Sequence, residues 1–149
     1  MNILAKAIQL AALMHVDQTD KGGHAYILHP LRMMMRLRSS DEELMAIAVL
    51  HDVVEDCDVS FDDLRSLGMT ERVISGVKAL TRQNGETYPQ FIERLSDNRD
   101  ALLIKREDLR DNSDLTRLKG VTEKDVSRMQ KYMTAFKRVE ELLAAHRVA

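Results

Sequence analysis

Between residues 51 and 63 the chain carries His51, Asp52, Glu55, Asp56, Asp58, Asp62 and Asp63, and neither Lys nor Arg. The densest part, His51-Asp52-Val53-Val54-Glu55-Asp56, sets an imidazole and three carboxylates within less than two helical turns. Like charges this close repel and raise one another's pKa. A divalent cation removes that conflict and reverses the local pKa logic. It would also bring chemistry: a bound cation polarises a phosphoryl or carbonyl oxygen and lowers the pKa of water.

The elements that must position these groups read as helices. Ser40-Asp41-Glu42-Glu43 opens one, with Ser40 as the expected N-cap and Glu43 completing a capping box. Leu44, Ile47, Ala48 and Leu50 follow at the spacing of a buried face. Four-residue separation stacks His51 on Glu55 and Asp52 on Asp56, whereas the neighbours His51 and Asp52 point about a hundred degrees apart. Those two can share an ion only at a helix end, and further ligands must come from elsewhere. Two segments offer them. His29-Pro30 follows the glycine-broken stretch Lys21-Gly22-Gly23-His24-Ala25-Tyr26-Ile27-Leu28 and starts a helix with Pro30 in its first turn. Farther on, Leu102, Lys105, Asp108 and Asn112 share one helical stripe.

Four segments together resemble the HD-domain phosphohydrolases, and within them the hydrolase domain of the Rel/Spo guanosine-polyphosphate enzymes, especially the short, hydrolase-only forms. Tyr26-Ile27-Leu28-His29-Pro30 resembles the family's Y-I-x-H-P, and Ala48 to Asp56 resembles A-L-L-H-D-V-V-E-D. Gly76-Val77-Lys78-Ala79-Leu80-Thr81-Arg82 resembles G-V-T-K-L-T-[KR], and Ile104 to Asn112 resembles the K-x-x-D-x-x-x-N segment. The motifs keep the family's order across about residues 10 to 120.

The resemblance implies an all-α HD-domain bundle of about seven to eight helices. It makes His29, His51, Asp52 and Asp108 the metal ligands, with manganese as the ion. Two imidazoles and two carboxylates suit Mn²⁺, Fe²⁺, Co²⁺ or Zn²⁺ alike. Glu55 and Asp56 take the catalytic step, orienting or deprotonating the attacking water, and Lys21 and Asn112 contact the nucleotide. The implied reaction removes the 3′-pyrophosphate of ppGpp or pppGpp to give GDP or GTP and pyrophosphate. An alternative keeps the metal and the acids but takes another nucleotide, such as a deoxynucleoside monophosphate or a dinucleotide phosphate. A third reading is a nucleotide sensor without turnover.

One departure bears on substrate. Where the family commonly reads R-K-x-G-x-P-Y, this chain has Asp20-Lys21-Gly22-Gly23-His24-Ala25-Tyr26. A carboxylate cannot stack on a purine or pair with phosphate as a guanidinium does. Either another residue, Arg110 or His24, takes over that contact, or the preferred nucleotide differs.

Composition narrows the remaining classes. At 149 residues the chain is expected to be one domain, residues 1–149, without the synthetase and regulatory domains of the long Rel/Spo enzymes. A net charge of −2 gives no drive toward a nucleic-acid polymer or a membrane surface, so a small nucleotide is the expected partner. The single Cys57 cannot form an internal disulfide, and the start of the sequence lacks a basic leader followed by an apolar run, so the expected setting is the cytoplasm. Helical patterns are expected over about 2–16, 30–38, 41–55, 61–67, 71–81, 88–97, 99–113 and 123–146, with caps at Ser40, Ser60, Thr70 and Thr122, a stop at Gly68, and no sheet.

Overall fold

The computed structural model describes residues 2–148. Among them lie nine α-helical segments: α1 (Ile3–Met14), α2 (Leu28–Arg36), α3 (Glu42–Leu50), α4 (Val53–Asp56), α5 (Phe61–Ser66), α6 (Glu71–Leu80), α7 (Tyr88–Arg94), α8 (Arg99–Asn112) and α9 (Glu123–Val148). Two 3₁₀ turns, Leu95–Asp97 and Leu115–Arg117, join the later helices. No strand occurs among the described residues, and the one extended pairing is an antiparallel bridge from Thr19 to Ala25. The all-α class read from the sequence is the class observed. No helix among the described residues is long and apolar enough to cross a membrane.

Helix α3 is the centre of the bundle. Leu44, Ala46, Ile47, Ala48, Val49 and Leu50 are all buried, so the helix is apolar on nearly every side and must be enclosed. Helices α1, α2, α6 and α8 pack around it. The contact with α6 requires Gly76: a Cβ there would lie 2.6 Å from Ile47 Cδ1 and 2.9 Å from both Cγ atoms. A glycine lets the two helices approach closely enough to shut water out of the core. Helix α9 buries Ala135, Val139, Leu142 and Leu143 and packs on α8 and α7.

The starts of α5, α6 and α9 follow the sequence. Ser60 and Asp63 form a reciprocal capping box, Thr70 Oγ1 accepts from the Val73 N–H, and Thr122 and Asp125 satisfy each other. The start of α3 does not. Its N-cap is Asp41 rather than Ser40, and the Asp41 carboxylate accepts from the Glu43 and Leu44 N–H groups. Arg72 also donates to Asp41 and to Asp100, pinning the cap to α6 and α8.

The expected helix 41–55 is broken at its functional point. His51 turns its Nδ1–H onto the Ala48 carbonyl at 2.7 Å, the acceptor that a continuing helix would offer to the Asp52 N–H. The helix then restarts as α4, with the Asp56 N–H donating to the Asp52 carbonyl. The expected 88–97 helix ends in the 3₁₀ turn at Leu95, and the turn at Leu115 falls in a stretch read as loop.

Candidate metal centre

The break between α3 and α4 overcomes the angular separation that an unbroken helix would impose on His51 and Asp52. His51 Nε2 lies 2.9 Å from Asp52 Oδ2. From the first turn of α2, His29 brings its Nε2 to 3.9 Å from the same oxygen. From the middle of α8, Asp108 Oδ1 stands 3.0 Å from His29 Nε2 and 3.7 Å from His51 Nε2. Three elements thus deliver all four residues expected as ligands to one spot. His29, His51 and Asp108 are buried and offer ligand atoms within 4.8 Å of one another, so they could hold a divalent metal ion.

The way each ring is held tests the fit to a cation. A ligating imidazole usually donates its other ring N–H to a carboxylate or a backbone carbonyl, which fixes the tautomer. His29 Nδ1 lies 2.6 Å from Asp111 Oδ2, and His51 Nδ1 lies 2.7 Å from the Ala48 carbonyl. In each case the tautomer that donates from Nδ1 leaves a lone pair on Nε2, facing the acids. His51 Nε2 is buried with no hydrogen-bond partner, since Asp52 is near but out of line. A buried polar atom left this way has lost water without compensation, and a cation would supply the missing partner. The donor set fits.

The acids are oriented as tightly. Lys105 Nζ donates to Asp108 Oδ2 at 2.8 Å and Asn112 Nδ2 donates to Oδ1 at 3.0 Å, which turns Oδ1 toward the histidines. Burial works against ionisation of Asp108, but the Lys105 charge and the two histidines outweigh it and hold the carboxyl well below the usual range. The same pairing holds Lys105 charged although it is buried beside Tyr88 and Phe91. Tyr26, packed between His15 and His29, donates its hydroxyl to Asp52.

Glu55 and Asp56 follow on α4 at the exposed edge of this cluster. One-sided burial, and then the charge of Asp52, push both carboxyls above the usual range. Gln18 donates to Asp56 at 3.3 Å. Lys21 and Asn112 line a cavity of about 260 Å³ that also reaches Tyr26, His29, Arg128 and Tyr132, so both residues expected at the nucleotide stand beside the cluster.

Neither Arg110 nor His24, the two candidates for the missing guanidinium contact, is among the residues that line this cavity. Arg110 donates to Glu107 and lies over the Phe136 ring, outside the residues lining the cavity. His24 is largely exposed, 3.6 Å from Asp20. Asp20 itself pairs with Arg117 at 3.0 Å.

Sequence reasoning passed over Asp111. Its side chain is fully buried and accepts from His29, from Arg32 Nε at 2.8 Å, and from Arg117 Nη1 at 2.8 Å. The signal was present: Asp111 follows Asp108 by three residues on α8, so both carboxylates face the same neighbours. Tyr26 as the partner of Asp52 was passed over as well, although it stands inside the segment that carries His29.

No family model matches the chain. It is 29% identical over 119 residues to the guanosine-3′,5′-bis(diphosphate) 3′-pyrophosphohydrolase of Aquifex aeolicus, covering 73% of this chain and 17% of that protein. It is 32% identical over 111 residues to a probable enzyme of the same name from Synechocystis, covering 72% and 14%. With the pyrophosphohydrolase MESH1 of Danio rerio it shares 36% identity over 83 residues, 50% of this chain and 46% of that one. The chain therefore spans under a fifth of the first two relatives and about half of the third. Among solved structures, a metazoan ortholog of SpoT described as hydrolysing ppGpp superposes with a TM-score of 0.78 at 29% identity, over 96% of this chain and 86% of that one. By sequence and by fold alike, the chain resembles the hydrolase domain of the Rel/Spo guanosine-polyphosphate enzymes, the short form included.

Proposed function

We propose that this chain is a metal-dependent nucleotide pyrophosphohydrolase that removes the 3′-pyrophosphate of ppGpp or pppGpp, taking up one water and giving GDP or GTP and pyrophosphate. One observation carries the reading: two imidazoles, each anchored through Nδ1, turn Nε2 toward the carboxylates of Asp52 and Asp108, with a pair of further acids alongside. The relatives and the structural neighbour suggest the substrate, since the relatives are named as guanosine-3′,5′-bis(diphosphate) 3′-pyrophosphohydrolases and the neighbour is described as hydrolysing ppGpp.

In this reading His29, His51, Asp52 and Asp108 hold the ion, and manganese is the proposed metal, in keeping with the mixed nitrogen and oxygen donors. When bound, a divalent cation supplies Lewis-acid polarisation of a phosphoryl oxygen and a lowered pKa for water. The chain's own residues do the rest. Glu55 and Asp56, with carboxyls made more basic by one-sided burial and by Asp52, orient the attacking water and accept its proton. Lys21 meets phosphate as a point charge and Asn112 offers its amide to the sugar or base edge from the cavity wall. The proposed partner is a small nucleotide, with no polymer or membrane, and residues 1–149 act as a single cytoplasmic domain.

Incubation with Mn²⁺ and ppGpp, following GDP and pyrophosphate, tests the substrate directly. Turnover that disappears in His51→Ala supports the reading. Absence of turnover at full metal occupancy rejects ppGpp, and activity that survives His51→Ala rejects the site. The Asp20 to Arg117 pairing favours extending the assay to a nucleotide panel, because the carboxylate at position 20 is already engaged by Arg117 and offers no guanidinium to stack on a purine or pair with phosphate.

A further inference from the structure

Asp20, Arg117, Asp111 and His29 form one continuous chain of contacts from the cavity rim to the cluster. Arg117, in the 3₁₀ turn after α8, uses its two terminal nitrogens on different partners. Nη2 donates to Asp20 Oδ2 at 3.0 Å. Nη1 donates to Asp111 Oδ2 and to the Asp111 main-chain oxygen, both at 2.8 Å. Asp111 Oδ2 also accepts from His29 Nδ1. On the loop side, Asp20 Oδ1 accepts from the Gly22 and His24 N–H groups at 2.9 Å each, so this carboxylate shapes the turn that carries Lys21.

A second, independent feature seats the same loop on the same residue. A Cβ on Gly22 would stand 2.2 Å from the Arg117 carbonyl oxygen. The loop backbone can lie against this turn only because residue 22 has no side chain. Both sides of the contact line the cavity beside His29.

We propose that Arg117 is a positioning residue that couples the nucleotide loop to the metal-facing imidazole: through Asp20 it holds the turn bearing Lys21 in place, and through Asp111 it fixes His29. The acid at position 20 is then the structural partner of an arginine 97 residues away, which explains how the loop keeps its shape without the basic residue that the resemblance would put there. A planar guanidinium can bridge two carboxylates in this way, whereas the ammonium of a lysine is a single point charge. Lys21 as a nucleotide contact and His29 as a ligand both rest on the function proposed above.

Three variants test the coupling: Arg117→Met, Arg117→Lys and Asp20→Asn. Three readouts are used, namely Mn²⁺ affinity by calorimetry with the metal alone, amide exchange of Gly22 and His24, and kcat against KM for ppGpp. Arg117→Met is expected to weaken Mn²⁺ binding by about tenfold, the low end for loss of an outer partner because Arg32 still holds Asp111. It should also speed exchange at Gly22 and His24 although Asp20 is intact, and raise KM. Excess Mn²⁺ should restore kcat and leave KM raised. Asp20→Asn should raise KM at unchanged kcat, with Mn²⁺ affinity as in the wild type. If Arg117→Met does not fold, Arg117→Lys decides, losing at least one of the two effects. Wild-type Mn²⁺ affinity and wild-type exchange in the folded Arg117 variant overturn the proposal, as does a loss of Mn²⁺ affinity in Asp20→Asn equal to that in Arg117→Met. Metal binding and exchange need no substrate, so a wild-type protein inactive on ppGpp would reject the proposed reaction and leave these two readouts to judge Arg117.

Discussion

Replacing Asp111 tests whether the histidine is held for ligation or merely packed. Its buried carboxylate serves His29, Arg32 and Arg117 together. Removing one partner of a buried charged pair costs about 3–5 kcal/mol when the other stays dry. Here the partners differ. The His29 side chain is 3% exposed and cannot rehydrate, whereas those of Arg32 and Arg117 are 32% and 21% exposed and can turn toward water. That lowers the expected loss for Asp111→Ala to about 2–4 kcal/mol. For a chain of this size it corresponds to a fall in melting temperature of about 4–16 °C. Asp111→Asn, which keeps the shape and one acceptor, should lose about half as much. Thermal melts in excess chelator isolate this effect, and repetition with Mn²⁺ should widen the gap, because loss of the partner that fixes His29 weakens metal affinity by about 10–100-fold. The pH dependence has a defined sign. Burial opposes ionisation of Asp111, but His29 and the arginines hold its carboxyl far below the usual range. Its contribution is therefore fully present above the unfolded value, about 3.9, and is lost as pH falls below it. The acid limb of the wild-type stability curve should flatten in Asp111→Asn. A variant that melts with the wild type and binds Mn²⁺ equally well would refute the reasoning.

Three further outcomes are expected. Glu55→Gln should lower kcat by about 10²–10⁴-fold, the usual worth of general-base help, while calorimetry finds Mn²⁺ affinity unchanged; a matching loss of metal would make Glu55 a ligand instead. Tyr26→Phe removes the hydroxyl that donates to Asp52 and should weaken Mn²⁺ binding by about tenfold or more, whereas an unchanged titration would show that Asp52 orients without it. Gly76→Ala should destabilise by about 1–2 kcal/mol, overpacking against Ile47 outweighing the gain in helix propensity; a denaturant midpoint at or above the wild type would mean that α3 and α6 can separate at no loss.

Much of the helical plan was legible because it rests on local chemistry. Ser60, Thr70 and Thr122 each stand where a short side-chain acceptor meets the first free N–H groups of a helix, and each caps one. Ser40 failed by one position because Asp41 beside it caps equally well and has Arg72 to hold it, a partner 31 residues away. The break at His51 was hidden by Val53 and Val54, which continue the apolar pattern across it. What opens the helix is a side-chain hydrogen bond to Ala48, and no periodicity records that. At the centre, the residue types and the motif order named His29, His51, Asp52 and Asp108, and the fold brings these four together. Asp111 was legible only as a second carboxylate three residues after Asp108 on α8, and Arg117 not at all. Their importance lies in contacts between the loop after α1, helix α2 and the turn after α8, which only the tertiary arrangement creates.

The central claim is that one divalent ion is held by side chains from α2, the α3–α4 break and α8. Crystals grown with Mn²⁺ and examined by anomalous diffraction at a wavelength selective for manganese test it most directly. The expected map has one strong peak within coordinating distance of His29 Nε2, His51 Nε2, Asp52 and Asp108 Oδ1. A fully occupied peak elsewhere, or none at this cluster under saturating metal, would contradict it.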